Sequence, residues 1–199
     1  MAKLILNSEN MYNNMLAYFK MASAEQIEHG KTWYFQAHDE CVKLSAETGY
    51  DLATVCGVVS ALSPRCRWEL NIKYARTLLQ TGDVKGAVLG LSVAKAKRIM
   101  AGEEIRGVLS GPKTCAFYWN ILCPECDKHS TQDTWMGKAF WGLSWDGNIR
   151  AGAQYDMMHE ACDRVAKEHK LLPQQVQAIV WVVIREIGSH PTLHHLAVN

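Results

Sequence analysis

Apolar residues recur at helical spacing along most of the chain. Ser23 and Gln26 have the spacing of a capping box at a helix start. Beyond Gly30, Trp33, Ala37, Cys41 and Leu44 repeat at intervals of four, four and three, which is one helix face. Gly49 stops that helix. Asp51 caps the next, which runs through Val55, Val58 and Val59 to Leu62 and breaks at Pro64. A further helix spans about Arg67 to Gln80 and ends at Gly82. Asp83 opens a short one, and Ser92 caps another over Val93–Met100. After Gly111-Pro112 the pattern predicts helices over 113–122, 134–141, 153–169 and 173–187, the last with Pro173 at its start. Strand alternation and hairpin signals are missing; Asp146-Gly147 is a turn dipeptide without flanking strands. The expected fold is all-α, with about ten helices in one compact body.

Composition leaves this picture standing. The chain has 199 residues, 48% hydrophobic and 21% charged, with 21 Lys plus Arg against 20 Asp plus Glu. These are globular values, so disorder and fibrous repeats are excluded. A net charge of +1 excludes coating nucleic acid by bulk charge, but not a local basic face. No apolar run approaches the roughly 18 residues of a membrane span, and Met1–Asn7 is too short for a signal-peptide core. Seven cysteines, mostly within apolar helical patterns, point to reduced, buried thiols in a soluble cytoplasmic protein.

The stretch with most chemistry is Leu109-Ser110-Gly111-Pro112-Lys113-Thr114-Cys115-Ala116, followed by Gln132-Asp133-Thr134-Trp135. A glycine turn entering a helix presents backbone N–H groups that suit a phosphate. Lys113 follows the turn, and Asp133 follows Lys113 by twenty residues, across a helix and a loop that allow the chain to return.

This order resembles the helix-hairpin-helix DNA glycosylase superfamily. There a hairpin of the form L-P-G-V-G-x-K-T-A precedes a catalytic aspartate by about twenty residues. Gly111-x-Lys113-Thr114-x-Ala116 approximates the hairpin's second half, and Asp133-Thr134-Trp135 is similar to the start of the aspartate-bearing helix. Upstream, Val58-Val59-Ser60-Ala61-Leu62-Ser63 and Ser92-Val93-Ala94-Lys95-Ala96-Lys97-Arg98-Ile99 look like two further family segments in the right order. The resemblance covers about residues 50–145, with the termini forming a second lobe of one domain over 1–199. The chain departs from the pattern at the leading L-P-G-V, at Pro112, which has no N–H, and in lacking the four-cysteine iron–sulfur loop.

The resemblance implies an enzyme on DNA that flips a modified or damaged base into a pocket between lobes. Asp133 would stabilise cationic charge on the sugar or activate the nucleophile. Lys113 would attack C1′ and form a Schiff base. Gly111 and Thr114 would hold a phosphate, with Lys95, Lys97 and Arg98 adding contacts. Ser63, Arg65, Arg67 and Trp68, around a proline-broken link, would face the nucleic acid. Trp135, Gln177 and Trp181 would line the base pocket. Small bacteriophage relatives of this superfamily modify a hypermodified thymine instead of releasing it, which is the alternative chemistry; a non-catalytic DNA-binding module is another.

Each residue also has a plain structural role open to it. Asp133 fits a helix N-cap. Lys95, Lys97 and Arg98 fit a solvated face, and Trp68, Trp181, Trp119, Trp141 and Trp145 fit a core. Cys123, Cys126 and His129 have metal-like spacing, and with His38-x-Glu40 they loosely resemble a zinc deaminase signature. The proline falls between the cysteines, however, and a structural zinc would still need a fourth ligand. The expectation is therefore no cofactor. His190, His194 and His195 read as a polar tail.

Overall fold

The computed structural model describes residues 7–85 and 90–198. Their regular structure is entirely helical: α1 (Ser8–Met21), α2 (Ala24–Thr48), α3 (Leu52–Leu62), α4 (Trp68–Thr81), α5 (Gly90–Met100), α6 (Ile105–Leu109), α7 (Pro112–Leu122), α8 (Thr134–Trp141), α9 (Ala153–His169), α10 (Pro173–Ser189) and a closing 3-10 turn at Pro191–Leu196. The all-α expectation is met. No helix is long and apolar enough to cross a membrane among the described residues. The N-terminal residues read against a signal peptide lie, up to Leu6, outside that range.

The helices form two units, parted inside α2. The terminal unit takes Met1–Tyr34 and Glu125–Asn199; the middle unit takes Phe35–Pro124. The segment that carries the family resemblance is thereby divided. Lys113 falls in the middle unit and Asp133 in the terminal one.

In the terminal unit, α10 packs against α1, α8 and α9. Met15, Tyr18, Met136, Met158, Ile179 and Ile184 are fully buried there. Gly30 lets α2 approach α10 closely: a Cβ at that position would lie 2.4 Å from Ile179 Cγ1 and 2.6 Å from its backbone N. The helix α1 was not expected. Asn7 Oδ1 caps it, accepting from the N–H groups of Glu9 and Asn10. Met11, Met15, Tyr18 and Phe19 then form its buried stripe.

In the middle unit, α3 is central and contacts α4, α5, α6 and α7. Every residue from Val55 to Leu62 is buried, as expected for a helix apolar on nearly all sides. Two local expectations fail here. Ser92 does not cap α5; the helix already runs from Gly90, and Ser92 is buried within it. Asp83–Lys85 is not helical, and the rest of that expected helix, 86–89, lies outside the described residues.

Candidate functional site

The Gln132-Asp133-Thr134 segment enters α8 in extended conformation, with Asp133 at φ −115° and ψ −175°. Its Oδ1 accepts hydrogen bonds from the backbone N–H groups of Trp135 at 2.9 Å and Met136 at 3.1 Å. The cap role is therefore real. Oδ2 is turned the other way and accepts from the indole Nε1–H of Trp181 on α10, at 3.0 Å. Four residues further along α10, the Arg185 guanidinium lies 4.3 Å over the Trp181 ring. Trp135 carries Lys138 Nζ 5.6 Å over its ring, and α10 comes close to it at Gly188, where a Cβ would meet Cζ3 at 2.5 Å. Trp135 and Trp181 are half-buried against the core. The structure thus gathers Asp133, Trp135 and Trp181 at one corner of the terminal unit: a carboxylate, two aromatic rings and two cations on those rings.

Beneath this corner lies a buried polar layer. The Tyr155 hydroxyl accepts from Gln132 N–H at 3.1 Å and donates to Ser130 O at 2.9 Å. Gln132 Nε2 donates to Ser130 Oγ at 2.7 Å and to Cys162 Sγ at 3.4 Å. Ser130 Oγ also pairs with His159 Nδ1 at 2.8 Å. Gln132, 1% exposed, leaves its Oε1 without a hydrogen-bond partner among the described residues. Burial pushes the Tyr155 phenol well above its ordinary value, raises the Cys162 thiol to about 12 and lowers His159. Gln177 is 4% exposed and accepts from Tyr34 Oη at 2.8 Å, so it braces α2 against α10 instead of lining an open base pocket. Tyr155, Ser130 and His159 carry no local sequence signal. Their roles arise from packing of α9 on the segment before α8.

The residues expected to meet nucleic acid, Ser63 to Trp68, Lys95 to Arg98 and Gly111 to Thr114, lie in the middle unit. The two-residue turn Ser110-Gly111 joins α6 to α7, with Ser110 in the left-handed region at φ 54°. Its groups are largely engaged. Gly111 N–H donates to Leu109 O at 2.7 Å. Thr114 Oγ1 donates to Leu109 O and Gly111 O, and Lys95 Nζ to Leu109 O and Ser110 Oγ. Gly111, Thr114 and Lys95 therefore brace the turn, and the Gly111 N–H is not available to a phosphate. Lys97 pairs with Asp83 at 2.9 Å and Arg98 with Glu103 at 2.6 Å, so these two form the solvated, ion-paired face. Lys113, half-buried in the first turn of α7, makes no hydrogen bond or ion pair among the described residues.

The Ser63–Trp68 link is mixed. Ser63 Oγ donates to Ser60 O, closing α3. Trp68 is half-buried and meets Phe117 edge-on at 6.5 Å. Arg65, held at φ 58°, and Arg67 are exposed and make no ion pair among the described residues. They line a hollow of about 190 Å³ with Cys66, Leu70 and Tyr74.

Cys123 and Cys126 are disulfide-bonded, which corrects the expectation of reduced thiols at these positions and removes them as thiolate ligands for zinc. Cys41, Cys56, Cys66, Cys115 and Cys162 are free.

A family model described as "Family of unknown function (DUF7178)" matches residues 2–187, and the chain belongs to that family. No curated protein and no solved structure matches the chain.

Proposed function

We propose that this DUF7178 chain is a glycosylase-like enzyme that acts on a modified or damaged base in DNA, with Asp133 as its electrostatic group. The observation that carries the reading is the threefold grip on Asp133. A carboxylate offers about four acceptor positions, and three N–H donors fill three of them. The charge is fixed in place, with one position left for a partner that becomes cationic. That suits stabilising a sugar as its base departs and does not suit a mobile proton carrier. The half-buried rings of Trp135 and Trp181 stand beside it, each with Lys138 or Arg185 over one face, and what remains exposed of them is the surface a base would meet.

In the reaction, the C1′–N bond breaks and its electron pair leaves with the base, which takes a proton from water. Water then closes on C1′ and gives up a proton. An amine in place of water would yield a Schiff base and a lyase, and Lys113, which makes no ion pair among the described residues, is the lysine to test for that variant.

The test uses oligonucleotides carrying a panel of modified bases or an abasic site, with mass spectrometry as readout. The expected result is a released base, lost by about 10²–10³-fold in Asp133→Asn. Borohydride trapping should give an adduct that Lys113→Ala lacks if the lyase operates. An intact, heavier nucleotide would replace this reading by base modification. Binding without any product, or full turnover by Asp133→Asn, would overturn it.

A further inference from the structure

A cavity of about 370 Å³ opens on the middle unit, well away in sequence from Asp133. Its lining comes from the N-terminal part of α3 (Thr54), the end of α5 and the following loop (Ile99, Glu103), α6 (Ile105, Arg106) and α7 (Tyr118, Trp119). The volume lies in the range of small-molecule sites.

One wall is aromatic. Tyr118 and Trp119 meet edge to face with centroids 5.1 Å apart. Ile99 and Ile105 supply aliphatic surface. Such a slot accepts a flat ring.

The Tyr118 side chain adds direction. The residue as a whole is only 5% exposed, and its hydroxyl, which makes no hydrogen bond to the described residues, is open to the cavity that the residue lines. A ligand entering the cavity therefore meets a hydroxyl free to donate to it. Burial first, and then the nearby Asp51 and Glu104 carboxylates, push this phenol up to about 12, so at neutral pH it stays protonated and can donate.

The charged groups decide the ligand's other end. Glu103 is held by Arg98. Glu104 accepts from the backbone N–H groups of Arg106 and Gly107. Asp51, close enough to raise Tyr118, accepts from Thr54 N–H and Oγ1–H. The nearby carboxylates are thus engaged, which argues against an amine. Arg106 is exposed and makes no ion pair among the described residues, and a free guanidinium at the mouth suits an oxyanion.

We infer that this cavity is a binding site for a nucleoside monophosphate, with the base in the slot of Tyr118, Trp119, Ile99 and Ile105 and the phosphate on Arg106. The Tyr118 hydroxyl donates to a ring carbonyl or ring nitrogen. The inference does not rest on the reading of Asp133, because it concerns free nucleotide in the absence of DNA.

The test is isothermal titration calorimetry of the full chain with the four deoxynucleoside monophosphates, their nucleosides and inorganic phosphate. At least one monophosphate should bind one to one, with a dissociation constant of about 1 mM or tighter. Its nucleoside should bind about tenfold more weakly, and phosphate alone not measurably. Arg106→Gln should bring the monophosphate down to the nucleoside's level. Tyr118→Phe should weaken both by about fivefold or more, with the melting midpoint little changed. Should Tyr118→Phe fail to fold, Arg106→Gln decides alone, since Arg106 is exposed and partnerless. No heat with any monophosphate, binding that survives both substitutions, or equal binding of phosphate alone would overturn the site.

Discussion

At the scale of single residues, Asp133 serves two masters, and substitutions separate them. Its Oδ1 caps α8 and its Oδ2 holds Trp181. Asp133→Ala removes both and strands the indole N–H, so it should destabilise the protein by about 2–3 kcal/mol. Asp133→Asn keeps an acceptor for the cap and should cost about half as much. Trp181→Phe loses the indole bond together with part of the packed ring beneath Arg185, and should cost about 1–2 kcal/mol; urea midpoints compare the three. His159 gives a prediction with a pH axis. Burial, the dominant cause, lowers it in the native state. The unfolded chain therefore binds its proton first as pH falls through about 6.5. The stability tied to His159 is complete above that pH, is lost as pH falls through the depressed native value, and is flat below it. His159→Gln should reduce the fall in urea midpoint between about pH 7.5 and pH 5 relative to the parent. An unchanged fall in the variant would show that His159 is not the titrating group.

At the scale of elements, the reach of sequence reading follows how local each signal is. Helices α7 through α10 begin within a residue of their expected starts, because Pro112, Asp133 and Pro173 act on their own backbone. The Ser23–Gln26 box forms as its spacing implies, with both reciprocal bonds present. Helix α1 was hidden because its four buried residues are spread among asparagines and its cap, Asn7, precedes a polar run. Helix α6 is five residues long, too short for periodicity to register. In the candidate site, Asp133, Trp135 and Trp181 were legible from spacing on their own helices. The Ser130, Tyr155 and His159 layer was not, because it depends on α9 packing against a loop 25 to 29 residues earlier. The contact between α2 and α10 makes a sharper test of element packing. An added methyl at Gly30 meets both the side chain and the backbone of Ile179, and backbone cannot rotate away. Gly30→Ala should cost about 3 kcal/mol despite raising helix propensity, and a neutral urea midpoint would refute the close approach.

At the scale of the whole molecule, a net charge near zero conceals an uneven distribution. Residues 35–124 carry eleven lysines and arginines against eight carboxylates, while the rest of the chain carries ten against twelve. Within the middle unit, Lys43, Arg76, Lys97 and Arg98 are neutralised in ion pairs. Arg65 and Arg67 make no ion pair among the described residues. If the chain grips DNA through this unit, counterion release makes affinity fall linearly with log salt concentration. Each phosphate contact contributes about 0.9 to the slope on duplex and about 0.7 on a single strand. Arg65→Ala with Arg67→Ala should thus lower the slope by about 1 to 2, and weaken binding at low salt far more than at high salt. Lys167→Ala, in the terminal unit and already paired with Asp163, should leave the slope unchanged. The contrast separates a charged grip from a general loss of stability, which would shift affinity at every salt concentration alike. A slope indifferent to both arginines would move the DNA-contacting face away from the Ser63–Trp68 link, even if Asp133 retains its role.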